Sequence, residues 1–458
     1  MSARSSSTTS SDDTAANPGN GTATGTEVPL TLTGAAPRTL GVLDQLGFWG
    51  NLGVSLLGFA GALSILTPFG AAPLNLPAAI TAIVLGTALG GAILGVSLML
   101  GAKTGAPAMV LLRGLLGAKA SFLPTVLNIA QCLGWAVFEL LVIAAGLQAL
   151  TGGNLPRWVC VLVAGGITTA LTIWPLGAIR VIRKYVSVLV VIAMIVLAVG
   201  VLRNPVPTIE GSWSGFWLAV DAAVALTISW VPLGADYSRH SKTPRAAFAG
   251  GFFGYGFAQI ACLLLGVVAL TQVQQDPDRV FDLFLAVPLG VAAFAVLVLR
   301  ETDQSFANVY STAVSIQNMA PRWDRRVLSV TIGALAIAAA LTIDISQYTN
   351  FLYLIGAVFI PLSGALIAAW LRTRGTGWDT SSNAPVRPGM LLAWAAGFVA
   401  YQLVNPGAIP GWSDAWASAG GWLHTLDHTW LSASLTSFAV AVLIALPFAG
   451  FRPRPRPA

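Results

Sequence analysis

The chain has 458 residues, 55% of them hydrophobic and 9% charged, with a formal net charge of +6 and a mean hydropathy of +0.76; soluble domains are about one-quarter charged. Apolar runs of about 20 residues, each able to cross a roughly 30 Å hydrocarbon core, recur from residue 43 to residue 449 and leave no room for a large soluble domain. The composition is that of a polytopic membrane protein, and Cys132, Cys160 and Cys262 inside apolar runs imply buried thiols and no disulfide framework.

Residues 1–37, which begin in a stretch rich in Ser, Thr, Gly and Asn without an apolar core or cleavage site, are expected to form a disordered cytoplasmic tail, not a signal peptide. Twelve transmembrane helices are expected beyond it, at 43–67, 77–101, 122–150, 157–176, 180–202, 214–236, 247–272, 288–319, 326–344, 350–371, 388–405 and 429–450. The first carries "GFWGNLGVSLLGFAG", with Gly47, Gly50, Gly53, Gly58 and Gly61 around Asn51 and Ser55. After the second, "GVSLMLGAKTG" has five residues between its glycines and Ala before Lys. It fails the phosphate-loop spacing GxxxxGK[ST], which argues against an ATP-driven pump, and is expected to bend the cytoplasmic end of that helix.

The third helix places Asn128, Gln131, Trp135 and Glu139 on one face at 100° per residue. The sixth carries Asp221 and then "ISWVPLGADYS", with Pro232 and Gly234 following Trp230. In the eighth, Arg300, Gln304, Asn308, Ser311 and Ser315 share one face, Glu301 lies at its edge and Asp303 to the other side. These stripes want water, a ligand or one another; the plainer reading is interhelical hydrogen bonding between the third and eighth helices. Near the end, "HTLDH" sets His424 and His428 one turn apart, an incomplete metal site, and "FRPRPRPA" at residues 451–458 is too short and Pro-rich to fold.

With the N-terminus inside, only Arg157, Arg203 and Arg279 among the 24 basic residues fall outside and only Arg300 within the bilayer. The positive-inside bias therefore puts both termini in the cytoplasm and accounts for the basic charge without nucleic acid. Helices 1 and 6 open two successive five-helix sets (38–202 and 203–371) of opposite orientation, with two further helices in 372–450. Matching Gly/Pro interruptions in two inverted halves point to a transporter site at the bilayer midplane. A buried charge at that depth costs about 2.5 to 3.5 kcal/mol and must face protein or water. Arg300 alone cannot neutralise Glu139, Asp221, Glu301 and Asp303, so a bound cation or protonation of a carboxylate is expected. Trp135 in mid-helix and Trp230 beside the break suit a flat polar heterocycle, stacked between rings and read at its edge by amides.

At these residues the sequence resembles the nucleobase:cation symporter family, and within it the purine/cytosine permease branch. The matching stretches are "FWGNLGVS", "LGAKTGAPAMVLLRGLLG", "LPTVLNIAQCLGWAVFE", "ISWVPLGADYSRHSK" and "FANVYSTAVSIQN", which span most of residues 40–320. The resemblance implies an all-α fold with a five-plus-five inverted repeat, broken helices 1 and 6 and two extra helices. It implies that Trp135 and Trp230 sandwich the base, that Glu139 stands where relatives often carry Asn or Gln, and that Asn308 and Ser55 are polar contacts. The cation site of sodium-coupled relatives aligns to Thr302 and Asp303 beside the helix 1 break.

The expected function is import of a cytosine- or purine-type base with H+ or Na+ by alternating access, by a monomer in the plasma membrane, with no catalysis, no cofactor and no resident metal. Expected substrate contacts are Trp135, Glu139, Trp230, Asn308, Ser55, Gln131 and Gln304; expected coupling groups are Asp303, Thr302, Asn51, Gly53, Asp221 and Glu301. The alternative substrate is hydroxymethylpyrimidine or another thiamine-precursor or allantoin-like heterocycle. A passive channel and an intramembrane enzyme are the readings of another class.

Overall fold

The computed structural model describes residues 36–68, 72–173, 185–277, 279–343, 348–421 and 430–450. The basic group Arg180, Arg183 and Lys184, the pair His424 and His428, and almost all of both tails lie outside the described residues. Among the described residues the chain is helical throughout, with no strand and only two isolated bridges, Leu40 with Ser241 and Leu74 with Ser212.

Among the described residues, five helices are by themselves long and apolar enough to cross a membrane: Leu76–Thr104, Phe122–Leu150, Phe216–Ser238, Pro244–Gln272 and Tyr348–Thr373. The helices Val42–Leu52 and Leu56–Leu66 make a sixth span if joined, bent by 55°. Arg157–Leu171, Ser187–Leu202, Pro388–Val404 and Ala433–Phe448 are apolar but shorter. Gly290–Met319 has 30 residues yet carries Arg300, Glu301 and Asp303. Protein surrounds its middle: every residue from Arg300 to Ser315 is buried, and it packs most extensively along Phe122–Leu150. A helix too polar for lipid is tolerated because its neighbours replace lipid.

The two interruptions differ. In the first span Gly53 ends one half-helix, and a Cβ on it would lie 2.5 Å from the Tyr255 carbonyl oxygen and 2.7 Å from Ala258 Cβ, so only glycine allows this approach. In the sixth, the expected break at Pro232–Gly234 lies earlier, at Ser229 and Trp230, between Phe216–Ile228 and Val231–Ser238. Pro232 falls in the first turn of the second half, where its missing N–H is no loss. The stretch expected to bend the end of the second span is instead helical through Thr104, and the helix stops at Gly105 in the left-handed conformation, φ 70°.

Just beyond the sixth span, His240 is buried. Its Nδ1–H donates to the Pro37 carbonyl oxygen at 2.9 Å, and the Leu40 amide donates to the His240 carbonyl oxygen at 3.0 Å. Burial, with Arg239 alongside, pushes the imidazole down to about 3. The unfolded chain takes up this proton near pH 6.5. This buried ring therefore costs no stability above about pH 6.5 and takes away about 1.4 kcal/mol per unit as the pH drops from there towards 3. Between pH 7 and pH 5 we expect the thermal midpoint of the purified wild type to drop relative to that of His240→Gln, which lacks the titrating ring; equal slopes in both proteins would rule out this contribution.

Candidate substrate site at the broken helices

Breaking a helix frees carbonyl groups on one side and N–H groups on the other, and none can be left bare in a membrane. In the first span the Gly290–Met319 helix supplies most of their partners. Arg300 Nη2 donates to the Asn51 carbonyl oxygen, and Gln304 Nε2 donates to the carbonyl oxygens of Leu52 at 2.6 Å and Val54 at 3.3 Å. On the other half, the Leu56 amide donates to Glu301 Oε2 at 3.1 Å and the Leu57 amide to Ser55 Oγ at 3.1 Å. Ser55 Oγ in turn donates to Glu301 Oε1 at 2.7 Å, and Arg300 Nη1 pairs with Glu301 Oε2 at 2.9 Å. The guanidinium thus faces the negative end of one half-helix and the carboxylate the positive end of the other, as their dipoles favour.

The sixth-span interruption is held similarly. Leu233 N–H bonds to the Trp230 carbonyl at 3.3 Å, and Gln131 Nε2 donates to the Ser229 carbonyl at 2.9 Å.

Between the two interruptions lies a narrow cavity lined by Trp135, Glu139, Trp230, Gln304 and Asn308 together with Gly53 and Ser55. Three of its polar atoms are buried without a hydrogen-bond partner: Trp135 Nε1, Glu139 Oε2 and the Tyr348 hydroxyl. Trp230 is fixed by an Nε1–H bond to the Tyr255 hydroxyl at 3.0 Å and by edge contact with Trp49 at 5.9 Å. Trp135 meets Tyr348 and Phe351 edge-on, at 5.9 and 5.3 Å. Tyr348 and Leu57 also line a second space of about 1460 Å³, bounded by Gln148, Arg157 and Pro277. They stand between the cavity and that vestibule.

Other expected site residues are placed elsewhere. Gln131 does not line the cavity; besides Ser229 its Nε2 reaches Asn128 Oδ1 at 3.2 Å, so it braces the break. Asn128 donates to Ser315 Oγ at 2.9 Å, the interhelical bond of the plainer reading. Asp221 accepts from Ser432 Oγ at 2.5 Å and from the amides of Ala433 and Ser434 at 2.9 and 3.1 Å. It holds the start of Ala433–Phe448 and is absent from the cavity lining. Asp303 accepts from Asn51 Nδ2 at 3.0 Å, and Thr302 Oγ1 donates to its own helix at the Leu299 carbonyl, 2.7 Å away.

Sequence reasoning missed Tyr255, Gln259 and Tyr348 in the lining. A lone Gln in the apolar seventh span was a usable signal, and its Nε2 is held by Thr87 Oγ1 at 2.9 Å and Thr227 Oγ1 at 3.0 Å. Tyr255 ends a π-helical turn, Gly250–Tyr255, that no sequence period announces.

Residues 38–380 match the family model described as a permease for cytosine/purines, uracil, thiamine and allantoin. The chain belongs to this family. It is a membrane transporter and not an enzyme. Among curated proteins, this permease is 24% identical over 262 residues to the vitamin B6 transporter TPN1 of Saccharomyces cerevisiae, a match covering 49% of the chain and 44% of that relative. Among solved structures it superposes on Mhp1, described as a nucleobase-cation-symport-1 family transporter in a closed conformation with bromovinylhydantoin bound. That TM-score is 0.70 at 17% identity, covering 92% of this chain and 95% of the other. A Na+-coupled sialic acid symporter follows the same fold, with TM-score 0.61 at 11% identity and 92% of each chain covered.

Proposed function

We propose that this permease imports a planar, nitrogen-bearing heterocycle of the cytosine or purine type, together with a cation, by alternating access across twelve spans arranged as an inverted repeat. The observation that carries the reading is the cavity at the two interruptions, where the rings of Trp135 and Trp230 accompany a carboxylate oxygen, Glu139 Oε2, that has no partner in the protein. Buried polar atoms left bare are costly. A ring edge that offers hydrogen-bond donors and acceptors relieves that cost, and ring faces match the indoles. Gln304 and Asn308 complete the edge contacts, while Ser55 and Glu301 hold the helix break that shapes them. Asn51, Gly53, Thr302 and Asp303 lie at or beside the same break and form the coupling region that positions the cavity groups, and Asp303→Asn is expected to slow uptake. The protein acts as a monomer in the plasma membrane with both termini cytoplasmic.

The test is uptake of radiolabelled cytosine into proteoliposomes, with adenine, hypoxanthine, uracil, allantoin and hydroxymethylpyrimidine as competitors, at two pH values and two sodium concentrations. At least one compound should displace cytosine or replace it as the accumulated solute, and accumulation should collapse with the ion gradient. Hydroxymethylpyrimidine as the sole accumulated compound would select the thiamine-precursor reading. Uptake that only equilibrates would indicate a channel, and no uptake of any of the six would overturn the assignment.

A further inference from the structure

We infer that Arg300 is a built-in cation: its guanidinium holds the position at the broken first span that a transported metal ion would need, so the travelling positive charge in this permease is a proton, carried by Glu139. The inference rests on the transport reading above and names its coupling ion.

Freed carbonyl oxygens at the C-terminal end of a half-helix are the groups that bind a cation at such a break. Here that end is closed by the chain itself. The Asn51 carbonyl accepts from Arg300 Nη2, the Leu52 and Val54 carbonyls accept from Gln304, and the Asn51 side-chain amide is turned to Asp303. Arg300 is also charge-matched in place by Glu301 and is 1% exposed, so it cannot step aside into water. A metal ion added to these carbonyls would sit against a guanidinium in a water-poor site, where like charges repel far more strongly than in solution.

With Arg300 and Glu301 paired, Glu139 and Asp303 are the carboxylates left at or near the cavity; facing Glu139 are Glu301 and Arg300 of the Gly290–Met319 helix, with Tyr255 and Tyr348 nearby. Asp303 has a donor in Asn51, whereas Glu139 Oε2 has none and lines the cavity. A proton from the outer solution forms an O–H bond on Glu139, and that bond breaks to water on the inner side; no other bond changes. In the acid form Glu139 offers one donor beside one acceptor, the complement of the amide or amidine edge of a nucleobase. In the ionised form it offers acceptors alone. Proton and heterocycle therefore favour each other's binding, which is the coupling that concentrative uptake requires.

The test that needs no substrate is the thermal midpoint of the purified full-length protein as choline chloride is replaced by sodium chloride at constant ionic strength. For the wild type we expect a shift within about 1 °C up to about 100 mM, a concentration at which a millimolar sodium site would stabilise the fold saturably. Arg300→Ala should lower the midpoint, and about 10 mM guanidinium or sodium should restore a large part of the loss by refilling the gap. Saturable stabilisation of the wild type by sodium would overturn the inference, as would an Arg300→Ala midpoint equal to wild type. Should Arg300→Ala not fold, Arg300→Lys keeps a fixed charge and must show the wild type's indifference to sodium. In proteoliposomes, uptake that persists without sodium and is abolished by collapsing the proton gradient supports the inference. Sodium-driven uptake defeats it while sparing the transport reading, and sodium indifference with no uptake of any of the six compounds defeats the transport reading alone.

Discussion

Trp135→Ala is expected to lose saturable binding of whichever of those six compounds the wild type accumulates, with affinity lower by roughly ten- to a hundredfold, because stacking of a base on an aromatic ring is worth about 1–3 kcal/mol. The ring has two connected duties. The ring and its unpartnered Nε1 border the cavity, and it meets Tyr348 and Phe351 in T-shaped contact, themselves packed against Phe138. Removing it deletes the platform and loosens the aromatic layer beneath the vestibule, so the site is both weaker and less closed. Trp135→Phe restores the apolar face without the Nε1–H and should recover part of the affinity. Equilibrium binding by scintillation proximity separates this loss from a turnover defect. Wild-type affinity in Trp135→Ala would remove the indole from the site.

Much of this site was legible in the residues because its elements carry local signals. The glycines around Asn51 marked the break that the structure puts at Gly53–Ser55, and the spacing of Trp135 and Glu139 put them on one helix face, turned to the cavity. What was not legible depends on how distant segments cross. That Arg300, Glu301 and Gln304 would close the first span follows from a contact across some 250 positions of chain, and no helical period encodes it. Gln131 looked like a ligand contact because it shares the Trp135 face, yet the carbonyl freed at Ser229 claims its amide first. Tyr348 sits at the start of its helix, where a tyrosine ordinarily reads as an interfacial anchor. The sixth-span break lies two residues before Pro232 because proline is comfortable in a first turn and ends only what precedes it.

Asp221 illustrates the same limit with the largest consequence for stability. As a lone carboxylate in an apolar run it invited a coupling role, but its two oxygens receive Ser432 Oγ and the amides of Ala433 and Ser434 at the N-terminus of the Ala433–Phe448 helix. Hydrogen bonds to a buried charge contribute about 1.5–3 kcal/mol each, and unmaking them leaves bare donors in a membrane. Asp221→Ala should therefore destabilise the protein by about 3–5 kcal/mol, seen as a large drop in thermal midpoint and in the yield of monodisperse protein. Asp221→Asn should cost less, since its carbonyl oxygen still accepts while its amide nitrogen opposes one of the three donors. The decisive comparison is function per folded molecule. Asp221→Asn, reconstituted at low temperature, should retain gradient-driven accumulation of the wild type's solute, because the carboxylate anchors a helix away from the cavity. A variant that folds at wild-type yield but equilibrates its solute without concentrating it would return Asp221 to the coupling pathway.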